Sequence, residues 1–198
     1  MAIHKRIFIK FLGVDLVDEK DNWLLAGAKQ DGESITKEWK PTTPSLIDGV
    51  IFQEIKPVLT AYGSLTEIFR TEWVPDAAQI GQIFASTLEP GGLSAWHAHA
   101  ITTDRLFVAA GQMRVVLYDA RTDSPTFGML NEFKLGTKRP GLLVVPPRVW
   151  HGVQNYCSTP AILVNAVDHA YRYDAPDHWR VPADSDTIPY RFSNDRHG

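Results

Sequence analysis

Residues 92–111 read GLSAWHAHAITTDRLFVAAG, and this stretch is the part of the chain that decides the expected fold. His97 and His99 are two residues apart, so in an extended strand both imidazoles point to the same face and can share a cation. Asp104 follows after four intervening residues, where a hairpin could return to that face. The pattern predicts paired β-strands with a candidate metal site on one face.

A second polar cluster lies further along the chain, where residues 146–155 read PPRVWHGVQN. The two prolines mark a turn, and His151 offers a third imidazole at the start of the strand that follows. Trp96 and Trp150 each precede one of these histidines. On a strand they would face away from the site, so we expect them to pack in the core.

Short apolar runs continue outward from these clusters, and turn residues separate them. Their spacing, their β-branched and aromatic content and the lack of long helical periodicity favour an all-β sandwich or barrel. The runs are Val50–Ile55, Leu65–Phe69, Ile80–Leu88, Leu106–Ala110, Met113–Tyr118, Leu142–Val145 and Ala161–Val167.

The pattern of apolar runs and turn residues changes near Pro44, which predicts two structural parts of the chain. We expect residues 1–43 to form an N-terminal extension that packs on the barrel or on a dimer partner. Residues 44–198 should form the barrel, and the Pro- and aromatic-rich tail from Tyr171 should wrap around it irregularly.

The composition excludes several classes of protein. The 198 residues include 20 Lys and Arg against 23 Asp and Glu, without a basic cluster, so nucleic acid is not an expected partner. A membrane span and a signal peptide are not expected either, because no apolar run is long enough. The single cysteine, Cys157, excludes an internal disulfide framework and fits the cytoplasm.

The two clusters resemble the paired signature motifs of the cupin superfamily. The first motif is matched by His97, His99, Asp104 and Gly111, although Asp stands where Glu is usual. The second is matched by Pro146, His151 and Asn155, with Arg148 in place of the usual glycine. The resemblance implies a double-stranded β-helix, or jelly-roll barrel.

In such a barrel the metal ligands would be His97, His99, Asp104 and His151. This donor set suits a divalent transition metal, and spacing does not choose among Fe, Mn, Ni, Zn and Cu. Two alternatives stay open at this point. One or more of the histidines could be a hydrogen-bonded core residue, or the pocket could be polar and free of metal.

A longer stretch, over roughly residues 44–192, resembles the dTDP-4-dehydrorhamnose 3,5-epimerase family of cupins. The most specific piece is Asp119-x-Arg121-x-x-Ser124-Pro-Thr-Phe-Gly128, and other pieces are Leu46–Val50, Gly63-x-x-x-Glu67-x-x-Arg70, Val145–Val153, Tyr171-x-Tyr173-x-Ala175-Pro176 and Ile188–Tyr190. Family enzymes remove protons next to the ketone of a nucleotide-linked sugar and return them on the other face. The resemblance implies that His97 is the base and that His151 is a second pocket histidine.

Several positions depart from that family. Ser94, Asp104 and Tyr62 replace a pocket arginine, an oxyanion-facing lysine and a phosphate-binding arginine; His99 replaces a glutamine; and Asn165 falls near the tyrosine acid. Asp184 loosely matches the acid that orients the base. Together, His99 and Asp104 rebuild a cupin metal site inside the epimerase-like frame. The departures predict little 3,5-epimerase activity on dTDP-4-keto-6-deoxyglucose.

The expected function is therefore that of an epimerase- or isomerase-like cupin acting on a small carbonyl or sugar-type substrate, with assistance from a metal. The candidate catalytic residues are His97, His151, Asp104, Asn165 and Tyr171. A bound ion would exclude His97 as base and hand that role to a hydroxide, to His169 or to Tyr171. A metal-dependent cupin dioxygenase and a non-catalytic carbohydrate-binding cupin are the alternatives, and we expect a homodimer.

Overall fold

The structure is a computed structural model that describes residues 23–39, 42, 45–74 and 80–193. The chain divides into two compact units, residues 1–43 and 44–198. The described part of the first unit is mostly exposed, and Thr42 closes a loop in it by donating its hydroxyl to the Glu33 carbonyl (3.0 Å). Among the described residues, no helix is long and apolar enough to cross a membrane.

The second unit is nearly all β, as the sequence predicts. Its described residues form twelve strands and one short 3-10 helix, Thr71–Trp73. The strands are β1 (Ile51–Glu54), β2 (Val58–Thr60), β3 (Gly63–Leu65), β4 (Gln82–Leu88), β5 (Leu93–Ala98), β6 (Asp104–Ala110), β7 (Gln112–Tyr118), β8 (Leu130–Gly136), β9 (Gly141–Val145), β10 (Trp150–Asn155), β11 (Ala161–Val167) and β12 (Trp179–Arg180).

Two five-stranded sheets make the barrel. One has the order β1-β9-β6-β11-β4 and the other β12-β5-β10-β7-β8, with antiparallel pairing throughout. β2 and β3 form a separate ribbon. Apart from β7 and β8, neighbouring strands in each sheet are not consecutive in the chain, which is the jelly-roll arrangement that the cupin motifs imply.

The main core combines alternate residues of both sheets, because every second side chain of a strand points inward. Leu106, Leu143 and Leu163 come from one sheet, and Val115 and Leu135 from the other. Burying apolar side chains in this way contributes roughly 1.5–3 kcal/mol for each large one.

The outer face of the second sheet is covered by the C-terminal wrap. Trp96 is fully buried there in a cluster with Ile188, and Tyr190 and Phe192 pack against it. The tryptophan thus faces away from the histidine that follows it, as strand alternation predicts. The wrap is irregular apart from β12, which adds to the edge of β5.

Two turns bring the motif strands into position. Gly111 joins β6 to β7 at φ +74°, and a Cβ there would lie 2.6 Å from that of Ala161, so only glycine fits. Arg148, between β9 and β10, also has a positive φ, +67°, where the cupin motif has glycine. Its backbone N–H donates to the His99 carbonyl (2.6 Å), which ties this turn to the end of β5.

Candidate functional site

Three histidines converge inside the barrel because β5 and β10 are neighbours. His97 and His151 are register partners across these strands, and their ring centroids are 4.0 Å apart. His99 lies just beyond the end of β5. Each of the three offers a ring nitrogen, and these nitrogens all lie within 4.8 Å of one another.

Backbone carbonyls fix the orientation of two of these rings. Nδ1 of His151 lies 3.0 Å from the Val149 carbonyl, and Nδ1 of His99 is hydrogen-bonded to the Asp177 carbonyl. A carbonyl oxygen only accepts, so Nδ1 carries the proton in both rings. In the neutral form each Nε2 then has a free lone pair, which is how a metal-binding histidine is usually prepared.

Asp104 lies at the start of β6 and is buried opposite these nitrogens. Its Oδ1 accepts a hydrogen bond from Asn165 Nδ2 (2.7 Å). Its Oδ2 lies 3.2 Å from Nε2 of His151 and 3.4 Å from Nε2 of His99, without a well-aligned hydrogen bond to either. One carboxylate oxygen thus faces two imidazole nitrogens.

The electrostatics keep Asp104 ionised and His97 neutral. Burial by itself would raise the pKa of Asp104, but His151, His99 and Asn165 together hold that pKa below its usual value. Burial, followed by the neighbouring His151, His178 and His99, lowers the pKa of His97 far below that of a free imidazole. His97 is therefore neutral near neutral pH, so one of its ring nitrogens has the free lone pair that a metal ligand requires, whereas so low a pKa makes it a weak base.

These residues fit a divalent transition metal. Two acceptors at 3.2–3.4 Å repel unless a proton or a cation lies between them. Three imidazoles and a carboxylate are donors that Fe, Mn, Ni, Zn and Cu all accept. Within the described part of the chain, the buried Nδ1 of His97 also has no hydrogen-bond partner, so more than one residue of the cluster has a ring nitrogen or carboxylate oxygen available to an ion.

The cluster lies on the wall of a cavity of about 430 Å³. Most of the residues that the sequence identifies for this site line the cavity, namely Ser94, His97, His99, Asp104, His151, Asn165 and Tyr171. Asp184 and Tyr62 are exposed and are not among the lining residues. Leu88, Leu106 and Leu163 give the cavity an apolar floor. Tyr62, where the resemblance implies a phosphate-binding arginine in the family, is 94% exposed on the β2–β3 ribbon.

The sequence gives little indication of three further polar residues of this cavity. His178 packs its ring 5.1 Å from that of His97 and 5.0 Å from that of His99. Asp177 supports His99, and Asp168 accepts from the backbone N–H of Thr103 (2.9 Å) and pairs with His169. Asp177 and His178 come from the tail and Asp168 directly follows β11, and these segments carry no motif spacing relative to the barrel strands. The Asp168-His169 and Asp177-His178 dipeptides are the signals in the sequence that point to them.

Two antiparallel sheets in jelly-roll order, with an imidazole cluster facing an interior cavity, define a cupin-type barrel. Residues 44–191 match the family model described as dTDP-4-dehydrorhamnose 3,5-epimerase. The chain belongs to this family of sugar epimerases.

Curated relatives agree with this family. Over 137 residues the chain is 34% identical to a Haloferax volcanii protein named "Probable low-salt glycan biosynthesis epimerase Agl13", which covers 69% of this chain and 88% of that one. Over 150 residues it is 31% identical to the spore coat polysaccharide biosynthesis protein SpsL of Bacillus subtilis, covering 76% and 99% of the two chains.

Solved structures agree as well. The dTDP sugar isomerase of Desulfovibrio desulfuricans G20 is 32% identical, with a TM-score of 0.68 over 77% of this chain and 94% of that one. The 3'-monoepimerase ChmJ of Streptomyces bikiniensis, solved in complex with dTDP-quinovose, is 20% identical with a TM-score of 0.66, covering 75% and 77% of the chains. At that identity the second likeness shows the fold alone.

Proposed function

We propose that this protein is a metal-assisted epimerase or isomerase that moves a proton next to the carbonyl of a keto-sugar carried on a nucleotide. The observation that carries the metal part is the position of Asp104 Oδ2, 3.2 and 3.4 Å from two imidazole nitrogens whose lone pairs are free. The sugar part rests on the family.

His97, His99, Asp104 and His151 would hold the ion. A divalent transition metal supplies Lewis acidity, which polarises a carbonyl oxygen. In the family this electrophilic role belongs to a lysine at the position of Asp104, according to the resemblance described above. The exchange of lysine for a carboxylate is therefore consistent with a change of electrophile rather than its loss.

Proton transfer then needs a group other than the ligands, and His169 is the best candidate. Its Nδ1 lies 2.9 Å from Asp168 Oδ1, so the carboxylate orients the ring and leaves Nε2 free. Both residues line the cavity, and Tyr171 lies on the same segment. His169 would take the proton from the carbon next to the carbonyl, and the electrons of the C–H bond would pass to the carbonyl oxygen. These electrons would return to the carbon as Tyr171 protonates it, and proton exchange with solvent would restore His169 and Tyr171.

Asn165 would support this site rather than transfer a proton. Its Nδ2 donates to Asp104, and its Oδ1 accepts from the backbone N–H of Arg105 (3.0 Å). Both ends of the amide are therefore occupied. A carboxamide also has no proton to give near neutral pH.

Recognition of a nucleotide-linked substrate would use the cavity mouth. Arg172 lines it, and its ion pair with Asp174 is long at 3.5 Å and exposed, so the guanidinium is available to a diphosphate. The apolar floor would take the carbon face of the sugar ring. A relative at 32% identity is named a dTDP sugar isomerase, which supports this class of substrate.

The test combines metal analysis with an exchange assay. Protein purified without an affinity tag is analysed for metal, loaded in turn with Fe, Mn, Ni, Zn and Cu, and incubated in D2O with a panel of nucleotide-linked keto-sugars. We expect about one transition metal per chain and deuterium at the carbon next to the carbonyl. Stoichiometric metal with oxygen consumption and no exchange would favour the dioxygenase instead. Metal-free protein that binds sugars without exchange would leave a carbohydrate-binding cupin.

We also propose that the protein is a cytoplasmic homodimer. β4 is an edge strand, and its Ile83 and Phe84 are exposed apolar side chains that a second copy would cover. The free thiol of Cys157 is compatible with a reducing compartment. Sedimentation at micromolar concentration tests the dimer, and a sedimenting mass near 22.2 kDa would contradict it.

A further inference from the structure

The segment from Tyr171 to Arg180, which we call the strap, crosses the mouth of the barrel and meets the loop that joins β5 to β6. Asp177 makes the contact. Its carboxylate accepts hydrogen bonds from the backbone N–H groups of Ala100, Ile101 and Thr102, at 2.6, 3.0 and 3.0 Å, and from the Thr102 hydroxyl at 2.9 Å. Four donors on one carboxylate make a rigid attachment, because each bond restricts the same two oxygens.

Asp177 also contacts the histidine cluster through its main-chain carbonyl. The Asp177 carbonyl accepts from Nδ1 of His99, and this bond sets the ring so that Nε2 faces Asp104. The His99 carbonyl is held from the other side by the N–H of Arg148. His99 lies beyond the last residue of β5, so these two contacts replace the sheet pairing that fixes His97 and His151.

We infer that Asp177 is a positioning residue for the metal site. Its side chain anchors the loop of residues 100–102, its carbonyl consequently sits where it orients His99, and the site is therefore complete only when the strap is attached. This inference rests on the proposed metal function and adds a residue that would not bind the ion itself but contacts one of its ligands, His99. Removing an outer partner of a metal-binding histidine typically costs 10–100-fold in metal affinity.

Asp177→Asn is the direct test, since it keeps the size of the side chain and turns one acceptor oxygen into a donor that opposes backbone N–H groups. Asp174→Asn is the matched control. Asp174 is on the same strap, its side chain is 80% exposed, and its ion pair with Arg172 is long at 3.5 Å. Thr102→Ala removes one of the four hydrogen bonds and should have a smaller effect. The probes are Zn²⁺ and Co²⁺ alone, in titrations of the metal-free full chain.

We expect Asp177→Asn to weaken Zn²⁺ binding by about 10–100-fold and to change the visible absorption of the Co²⁺ form, while Asp174→Asn leaves both unchanged. The spectrum reports the ligand arrangement, which a general loss of stability would not alter at temperatures where the variant is folded. Equal affinity and an equal spectrum in Asp177→Asn would overturn the inference and leave the metal site standing. Failure of the unmodified protein to bind either ion would overturn the proposed metal function instead.

A measurement on the unmodified protein covers the case in which Asp177→Asn does not fold. Binding at one site and order at the other must be linked in both directions. Zn²⁺ should therefore slow amide hydrogen exchange at residues 100–102, where the three N–H groups meet Asp177. Unchanged exchange at these amides in saturated protein would contradict the role given to Asp177.

Discussion

Replacing Asp104 by asparagine separates a metal site from a salt-bridged pocket, because the two arrangements predict changes of very different size in the free energy of unfolding. In the metal-free protein the new Nδ2 would occupy the position of Oδ2, 3.2 Å from Nε2 of His151, and donate to a nitrogen that otherwise faces an acceptor. The gain is about 0.5–1.5 kcal/mol for one hydrogen bond, and the bond from Asn165 loses about the same amount when its acceptor becomes neutral.

The expected net change in the free energy of unfolding is thus within about 1 kcal/mol, or about 2–4 °C in Tm for a chain of this size. If His99 or His151 were instead an imidazolium paired with Asp104, the substitution would break a buried ion pair. That costs about 3–5 kcal/mol, which is about 6–20 °C.

The assay is thermal unfolding followed by circular dichroism at pH 7.5, with EDTA and then with Zn²⁺. At a free Zn²⁺ concentration of 100 times Kd, the unmodified protein should gain about 2.7 kcal/mol, whereas Asp104→Asn should gain much less. Asp123→Asn, at an exposed position outside the cavity, is the control. A metal-free Asp104→Asn protein that melts more than about 6 °C below the unmodified one would refute the reasoning.

Four further predictions concern the same site. The double variant His99→Gln and Asp104→Lys should lose metal retention in elemental analysis yet keep its β-sheet circular dichroism, and a metal-free unmodified protein, even after supplementation, would contradict it. The unmodified protein should show little 3,5-epimerase turnover on dTDP-4-keto-6-deoxyglucose by NMR, whereas a rate near the enzyme median of about 10 per second would show that the family departures do not matter. His97→Ala should abolish deuterium exchange and weaken metal retention, and full exchange activity in this variant would refute the role given to His97. Arg148→Gly should raise Tm by about 1–4 °C. Glycine relieves the strain of the positive φ, about 1–2 kcal/mol, and this exceeds its entropic cost of about 0.5–1 kcal/mol. A lower Tm would show that the arginine side chain stabilises the turn.

The sequence predicts the barrel and the arrangement of its histidines because both depend on local alternation. His97 and His99 lie two residues apart on an extended segment and so share a face. Trp96, which precedes His97, points to the opposite face, and the structure packs it there. The pairing of His97 with His151 needs long-range topology, which the motif order supplied through the cupin resemblance.

The contribution of the tail could not be predicted in the same way. Asp177 meets Ala100 across 77 positions of the chain, and no residue period connects an irregular strap to a strand. The loose match of Asp184 to an orienting acid has no counterpart in the cavity, because that side chain is exposed. Long-range hydrogen bonds of this kind depend on the position of the strap relative to the barrel strands, which only the folded chain defines.

The hydrogen bond between Asn165 and Asp104 has a consequence for how such a site could change over evolution. The resemblance implies that the chain has Asp104 in place of a lysine, His99 in place of a glutamine and, nearby, Asn165 in place of a tyrosine. Each replacement suits the others: the amide donates to the carboxylate, and the carboxylate faces the imidazole. A single reversion, such as lysine at position 104, would bury a cation against an amide donor and two histidines. We therefore expect the three positions to depend on one another, so that reverting one of them alone would destabilise the site.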